Sequence, residues 1–240
     1  MQVKSLFHTF SKIIKALFIF ILTFFVILLI LYYLQLSFLI KKIEIINKEK
    51  INLLGTAEYI NKNIFLVSNE SIIFNLKQKN PLVKNIVVKK RLPDSLVLIP
   101  DLYTSMAYII TSNGYFRISE DGKILSKLKN YDKSYPLITY YQKLNYYSYS
   151  SGDFISLKDI TTSLYFLNFF QNNSLVIDSV DIKDKDMLVF NLENRKIVLT
   201  NNKKINLQEY ALREILKSFK VSGKFFKVID LRFEKPVIEF

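Results

Sequence analysis

The hydrophobic pattern starts with one unbroken apolar stretch and then gives way to short alternating and helical segments. Ala16 to Ile40 reads ALFIFILTFFVILLILYYLQLSFLI without a charge. That exceeds the roughly 20 apolar residues a helix needs to cross a bilayer. Val, Ile, Leu and Phe occupy every face, unlike the single stripe of an amphipathic surface helix. Tyr32 and Tyr33 sit near one end, where amphipathic rings favour the interface. A cleaved leader would have a shorter apolar region, about 7–15 residues, with small residues at its cleavage site. YYLQLSFLIKK stands there instead. The expectation is an uncleaved single span over 16–40, preceded by a tail over 1–15.

After the span, KKIEII (41–46) alternates as a strand does, and Lys50 to Asn61 predicts a weak helix interrupted by Gly55. NIFLV (63–67) is a short apolar anchor. Ser68 or Asn69 can cap a helix with Glu70 in its first turn and Ile72, Ile73 and Leu76 as its buried stripe. Asn80-Pro81 ends it. LVKNIVVKK (82–90) and LVLI (96–99) predict a hairpin through the turn Leu92-Pro93-Asp94-Ser95, with Pro100 stopping the return strand. Strand, helix, helix, strand, strand is a small module with two helices on one face of three strands, occupying 41–101.

A second domain, 102–240, opens with the strand MAYIIT (106–111), the turn signal Asn113-Gly114 and the partner strand YFRIS. Glu120-Asp121-Gly122-Lys123 turns into ILSKL. Residues 140–151 are rich in Tyr and Ser and read as a loop, with an aromatic contact patch at 140–149 as the sharper alternative. Ser156 and Asp159 have the spacing of a capping box for a helix carrying Ile160, Leu164, Leu167 and Phe170. LVIDSVDI, MLVFNLE and KIVLT follow as a meander. A last helix, about Leu207 to Phe219, would be capped by Asn206, would face inward with Leu207, Ala211, Ile215 or Leu216, and Phe219, and would close at Ser222-Gly223. FFKVIDLRF then alternates as a strand, PVIEF follows it, and the terminal strand is expected at the edge of the sheet, with a binding surface around Asp230 to Phe240.

Charge sets an orientation. Lys4, Lys12 and Lys15 precede the span without an acid, against Lys41 and Lys42 beyond it. Short loops follow the positive-inside rule and long translocated domains largely ignore it, so the N-terminus is expected in the cytoplasm and 41–240 outside it. The net charge of +13 is scattered among 21 acids rather than clustered with stacking aromatics, so a nucleic-acid partner is not expected. With Cys absent and the only His at position 8, the exported part has no thiol nucleophile, His-dependent triad, thiolate or multi-His metal site. No metal, cofactor or catalytic residue is expected. Two enzyme classes remain: a Ser–Lys dyad, and paired carboxylates for glycoside chemistry among the 21 acids, none of which lies in a phrase that suggests a cleft. Ser105-Met106 is similar to the Ser-Met of a type I signal peptidase, but that serine should lie close to the span.

The residues quoted also carry a family resemblance. Asn63, Ile64, Phe65, Pro81, Val83, Ile86, Val88, Lys90/Arg91, Pro93, Leu96 and Leu98 resemble the POTRA pattern of the bacterial cell-division family FtsQ/DivIB. Asn47 stands where that family usually has Gly, and DLYTSMA (101–107) keeps only an acid and Ala107 of its next phrase. The turn at 120–123 and Tyr135-Pro136-Leu137-Ile138 are similar to the meander that follows. Near the end, Ile229, Asp230, Leu231, Arg232, Phe233 and Pro236 are similar to the family's C-terminal phrase. The resemblance implies an α+β protein: one transmembrane helix, a β-α-α-β-β POTRA module, then a mixed β domain with flanking helices. It implies a non-enzymatic scaffold of the division septum that binds FtsB/DivIC-like and FtsL-like proteins, among other divisome components, and links them to septal peptidoglycan synthesis. The partner-binding residues it implies are Asp230, Leu231, Arg232 and Phe233, then Val237 and Ile238. The competing readings are the Ser–Lys peptidase and a POTRA protein of a secretion or envelope-assembly system.

Overall fold

The computed structural model describes the backbone of residues 2–47 and 51–240, and the side chains of these residues from 17 onward. The chain is a mixed α+β protein in two compact units, Met1–Leu102 and Tyr103–Phe240.

The first unit begins with α1, Gln2–Ser37. Leu17–Ser37 is long and apolar enough to cross a membrane, and none of it is buried within the protein. The helix takes in the expected tail, so no separate element precedes the apolar stretch. It also stops before Ile40. Ile40 is fully buried in the core of the small module, its N–H bonded to Lys62 O and its carbonyl accepting from Asn61 N, both at 2.9 Å. The apolar run therefore serves two environments, and its last residues belong to the protein core.

The module contains β1 (Lys42–Ile45), α2 (Asn69–Lys79), β2 (Val83–Arg91) and β3 (Ser95–Leu102). The sheet order is β1-β3-β2, with β1 parallel and β2 antiparallel to β3. Ser68 caps α2, its Oγ accepting from Ser71 N at 3.2 Å. Ile72 and Leu76 are fully buried against Ile86, Leu96 and Leu98, with Ile73 packed at the margin. Two expectations fail. The helix predicted from Lys50 is only the 3-10 turn Thr56–Tyr59, preceded by Gly55 at φ 88; Lys50 itself lies outside the described residues. And β3 runs through Pro100, which pairs with Ile86. Beyond Leu98 the strand has lost its β1 neighbour, so a missing N–H there is tolerated.

The second unit has one nine-stranded sheet. Its strands are β4 (Ser105–Thr111), β5 (Gly114–Ser119), β6 (Ile124–Leu128), β7 (Leu137–Tyr140), β8 (Ser179–Asp184), β9 (Met187–Leu192), β10 (Arg195–Leu199), β11 (Val228–Asp230) and β12 (Val237–Glu239). Their order is β12-β11-β10-β9-β8-β7-β4-β5-β6. Two helices, α3 (Lys158–Asn172) and α4 (Ile205–Ser222), make the crossovers β7-α3-β8 and β10-α4-β11, and each joins parallel neighbours. Phe116, Phe166, Phe170 and Phe190 lie fully buried within one continuous apolar cluster.

Local chemistry departs from expectation at several points. The β4–β5 loop is Ser112-Asn113, one residue before the Asn-Gly signal, because Gly114 already pairs with Thr111. At φ 147, a Cβ on Gly114 would sit 2.4 Å from Leu128 O, so only glycine fits. Ser156 caps nothing: α3 starts after Leu157 without a side-chain cap, and Asp159 is buried in its first turn. Asn206 lies inside α4 rather than at its cap. Ala211, Ile215, Leu216 and Phe219 pack against the core as expected, beside the fully buried Leu212 and the buried Gln208, while Leu207 is 60% exposed. Gly223 closes α4 at φ 68, its N–H bonded to Phe219 O at 2.9 Å. The Tyr-rich segment holds a 3-10 turn, Tyr146–Ser148, with Tyr146 stacked on Phe116 at 5.7 Å.

Candidate partner-binding edge

A sheet offers a partner its edges, because an edge strand leaves a row of N–H and C=O groups unpaired. The large sheet ends at β6 and β12. At β6 the outer side is partly covered: Ile124 N bonds Asp153 O and Gly152 N bonds Ile124 O, both at 2.8 Å, and Lys123 bridges to Phe154. Among the described residues, β12 is paired only with β11.

This narrows the expected edge around Asp230 to Phe240 to its last part, Val237–Glu239. The alternating run 225–233 is not the border of the sheet. Its ordered part, β11, lies between β10 and β12, because the α4 crossover returns it parallel to β10 and the chain then doubles back. Leu231 is 2% exposed, its N–H bonded to Val198 O at 2.9 Å. Asp230 is buried too. Leu231 and Asp230 hold the edge in place and offer a partner little surface.

Asp230 and Arg232 pair with each other. The Arg232 Nε–H donates to both carboxylate oxygens at 3.1 Å and Nη2 to Oδ2 at 2.7 Å. The Arg232 backbone N–H donates to Oδ1 at 3.0 Å, closing a tight turn. Burial works against the charged carboxylate, but the hydrogen bonds and charge of Arg232, with the Lys203 ammonium, outweigh it and hold Asp230 below the usual range. Lys203 Nζ also donates to Leu231 O at 2.9 Å and to Phe233 O. A single ammonium thus pins the loop between β11 and β12.

Phe233 and Val237 are exposed at 55% and 46%, and Ile238 turns inward. Beside them runs a groove of about 490 Å³ between the start of α4 and the 231–236 loop. Its apolar lining is Leu207, Ala211, Leu231, Phe233 and Pro236. Of the six residues implied by the resemblance, Phe233 and Val237 present apolar surface, Ile238 anchors the strand, and Asp230, Leu231 and Arg232 shape its turn. Lys203 and Leu207 were missed. No motif marks Lys203, and the spacing of Leu207 with Ala211 read as an inward face.

Elsewhere, Ser105 lines a hollow of about 410 Å³ whose lining holds no lysine. Among the described residues no three His, Cys, Asp or Glu side chains gather as a metal site would require. No protein-family model matches the chain, and a search of curated proteins finds no significant match.

Proposed function

We propose that this protein is a membrane-anchored, non-catalytic scaffold of the FtsQ/DivIB kind, with its N-terminus in the cytoplasm and residues 41–240 outside the cytoplasmic membrane. The observation that carries the reading is the one-sided strand β12 beside an apolar groove. A partner strand added there gains main-chain bonds without first breaking any. Phe233, Val237 and Leu207 supply the apolar contacts that dominate such interfaces. The partners are an FtsB/DivIC-like protein and, through it, an FtsL-like one, at the division septum. The module's strand, turn, helix, strand, strand order and its mixed β1-β3-β2 sheet support the POTRA reading, with the first helix reduced to a 3-10 turn.

The test is a pull-down of the detergent-solubilised full chain with the FtsB/DivIC-like protein of the same organism. Phe233→Glu combined with deletion of Pro236–Phe240 abolishes capture while the POTRA-like module keeps its melting transition. Undiminished capture by that folded variant moves the interface away from β12, with the Tyr-rich loop at 140–149 as the next candidate.

A further inference from the structure

The first unit carries a second exposed apolar feature, at the end where α1 enters it. Leu39 and Asn63 form an antiparallel bridge, and Ile64 N–H donates to Phe38 O at 2.9 Å. In antiparallel pairing, each step forward from Asn63 moves back toward the helix. Phe65 and Leu66 therefore reach the level of Ser37, the last residue of the membrane-length segment. There the chain turns: Leu66 N–H bonds Asn63 O at 3.1 Å and Phe65 N–H bonds Asn63 Oδ1 at 2.9 Å. The turn is firmly held. The Phe65 ring lies edge-on to Phe38 at 4.9 Å, and Lys90 Nζ donates to Val67 O at 2.5 Å. Yet Phe65 is 59% and Leu66 82% exposed.

The hairpin tip of β2 and β3 lies at the same end. Lys41 N–H donates to Asp94 O at 2.8 Å, and β1 then runs away from α1, paired from Ser95 onward. Leu92, at that tip, is 56% exposed. The rim facing the end of α1 thus carries three exposed large apolar side chains, with Lys41, Lys42 and Lys62 exposed around them and Asp94 as the acid of the tip. Other exposed apolar side chains of the module stand elsewhere; Leu82, for example, precedes the opposite end of β2.

We infer that Phe65 and Leu66, with Leu92 beside them, insert into the headgroup boundary of the bilayer that α1 crosses and so dock the module upright on the membrane. The occupant is lipid because the rim is continuous with the span: once α1 is embedded, the turn has no position remote from the interface. Apolar side chains at that depth gain burial, and lysines gain from anionic headgroups. The inference rests on the anchoring proposed above and adds that the exported module is held by its own surface as well as by its tether.

The chain has no cysteine, so single labels can be placed at will. Full chain in phosphatidylcholine–phosphatidylglycerol vesicles would carry a polarity-sensitive fluorophore at Leu66→Cys, Leu82→Cys or Leu29→Cys, with quenchers at shallow and deep lipid positions. The label at 66 loses most of its emission to the shallow quencher, the label at 29 to the deep one, and the label at 82 keeps its emission. Quenching at 29 without quenching at 66 overturns the docking and leaves the anchor intact. Equal quenching at 66 and 82 overturns it as well, since the module would then lie on its side. Absence of quenching at 29 removes the span, and the docking with it.

Discussion

At the scale of single residues, the account turns on a few polar groups that hold apolar surface in place. Asp230 has the most direct consequence. Its carboxyl titrates below the ordinary value of 3.8 when folded and near that value when unfolded. Its stabilisation is therefore complete above pH 3.8 and lost as the pH falls through the lower folded value. Asp230→Asn is expected to destabilise the second unit by about 1.5–3 kcal/mol at pH 7, the range for hydrogen bonds to charged groups. Thermal melts of parent and variant should converge as the pH falls below 3.8 and through the lower folded value. A difference that does not change across that range would mean that packing, not the ion pair, carries the effect. Gln208 does related work where α4 begins. Its buried amide accepts from Thr200 N at 2.9 Å and donates to Thr200 O at 2.7 Å, which ties the end of β10 to the helix.

At the scale of elements, α2 and α4 make contrasting claims. Leu76 is fully enclosed between α2 and the sheet, so Leu76→Ala should cost about 2–5 kcal/mol, read from the denaturant midpoint of the first unit. An unchanged midpoint would mean that α2 is not docked as described. On α4, Leu212 is fully buried and Leu207 faces the groove. Leu212→Ala should lose about 2–5 kcal/mol of stability, whereas Leu207→Ala should leave stability within about 0.5 kcal/mol and weaken partner capture. The reverse assignment would return Leu207, the one residue of the expected inward face that lies outside, to the core. The α4 sequence explains the error. Leu207, Ala211, Leu216 and Phe219 recur at helical spacing, but Gln208 outcompetes Leu207 for the core because it satisfies both polar groups of Thr200. Short-range signals were more reliable where they act through one bond: Ser68 does cap α2, and Gly223 does close α4. The box expected from Ser156 and Asp159 fails because Asp159 is drawn into the core. Burial, aided by bonds to Tyr141 and Asp159, pushes the Tyr140 phenol well above its usual value.

At the scale of the molecule, most strand positions were legible, β7 was not among the strands the pattern predicts, and the neighbours of the strands were not legible. β4, β5 and β6, and β8, β9 and β10, follow one another with short turns, so their pairing is local. β8 pairs with β7, and β11 with β10, through the crossovers of α3 and α4, while β7 reaches β4 by returning past the β5–β6 hairpin, and no pattern within a strand encodes these pairings. The same non-local pairing narrows the edge of the sheet to Val237–Glu239. Phe233 and Val237 kept their exposure, and Asp230 and Leu231 became supports beneath the edge. The central claim is that β12 accepts a partner strand, and hydrogen exchange reads this most directly. The full chain is compared with and without the proposed FtsB/DivIC-like partner, under conditions where co-purification shows that the complex has formed. Amide exchange across Val237–Glu239 is expected to slow markedly, while exchange in β6 at the opposite edge stays unchanged. Unaltered exchange at β12 in a formed complex, or protection confined to β6, would contradict it.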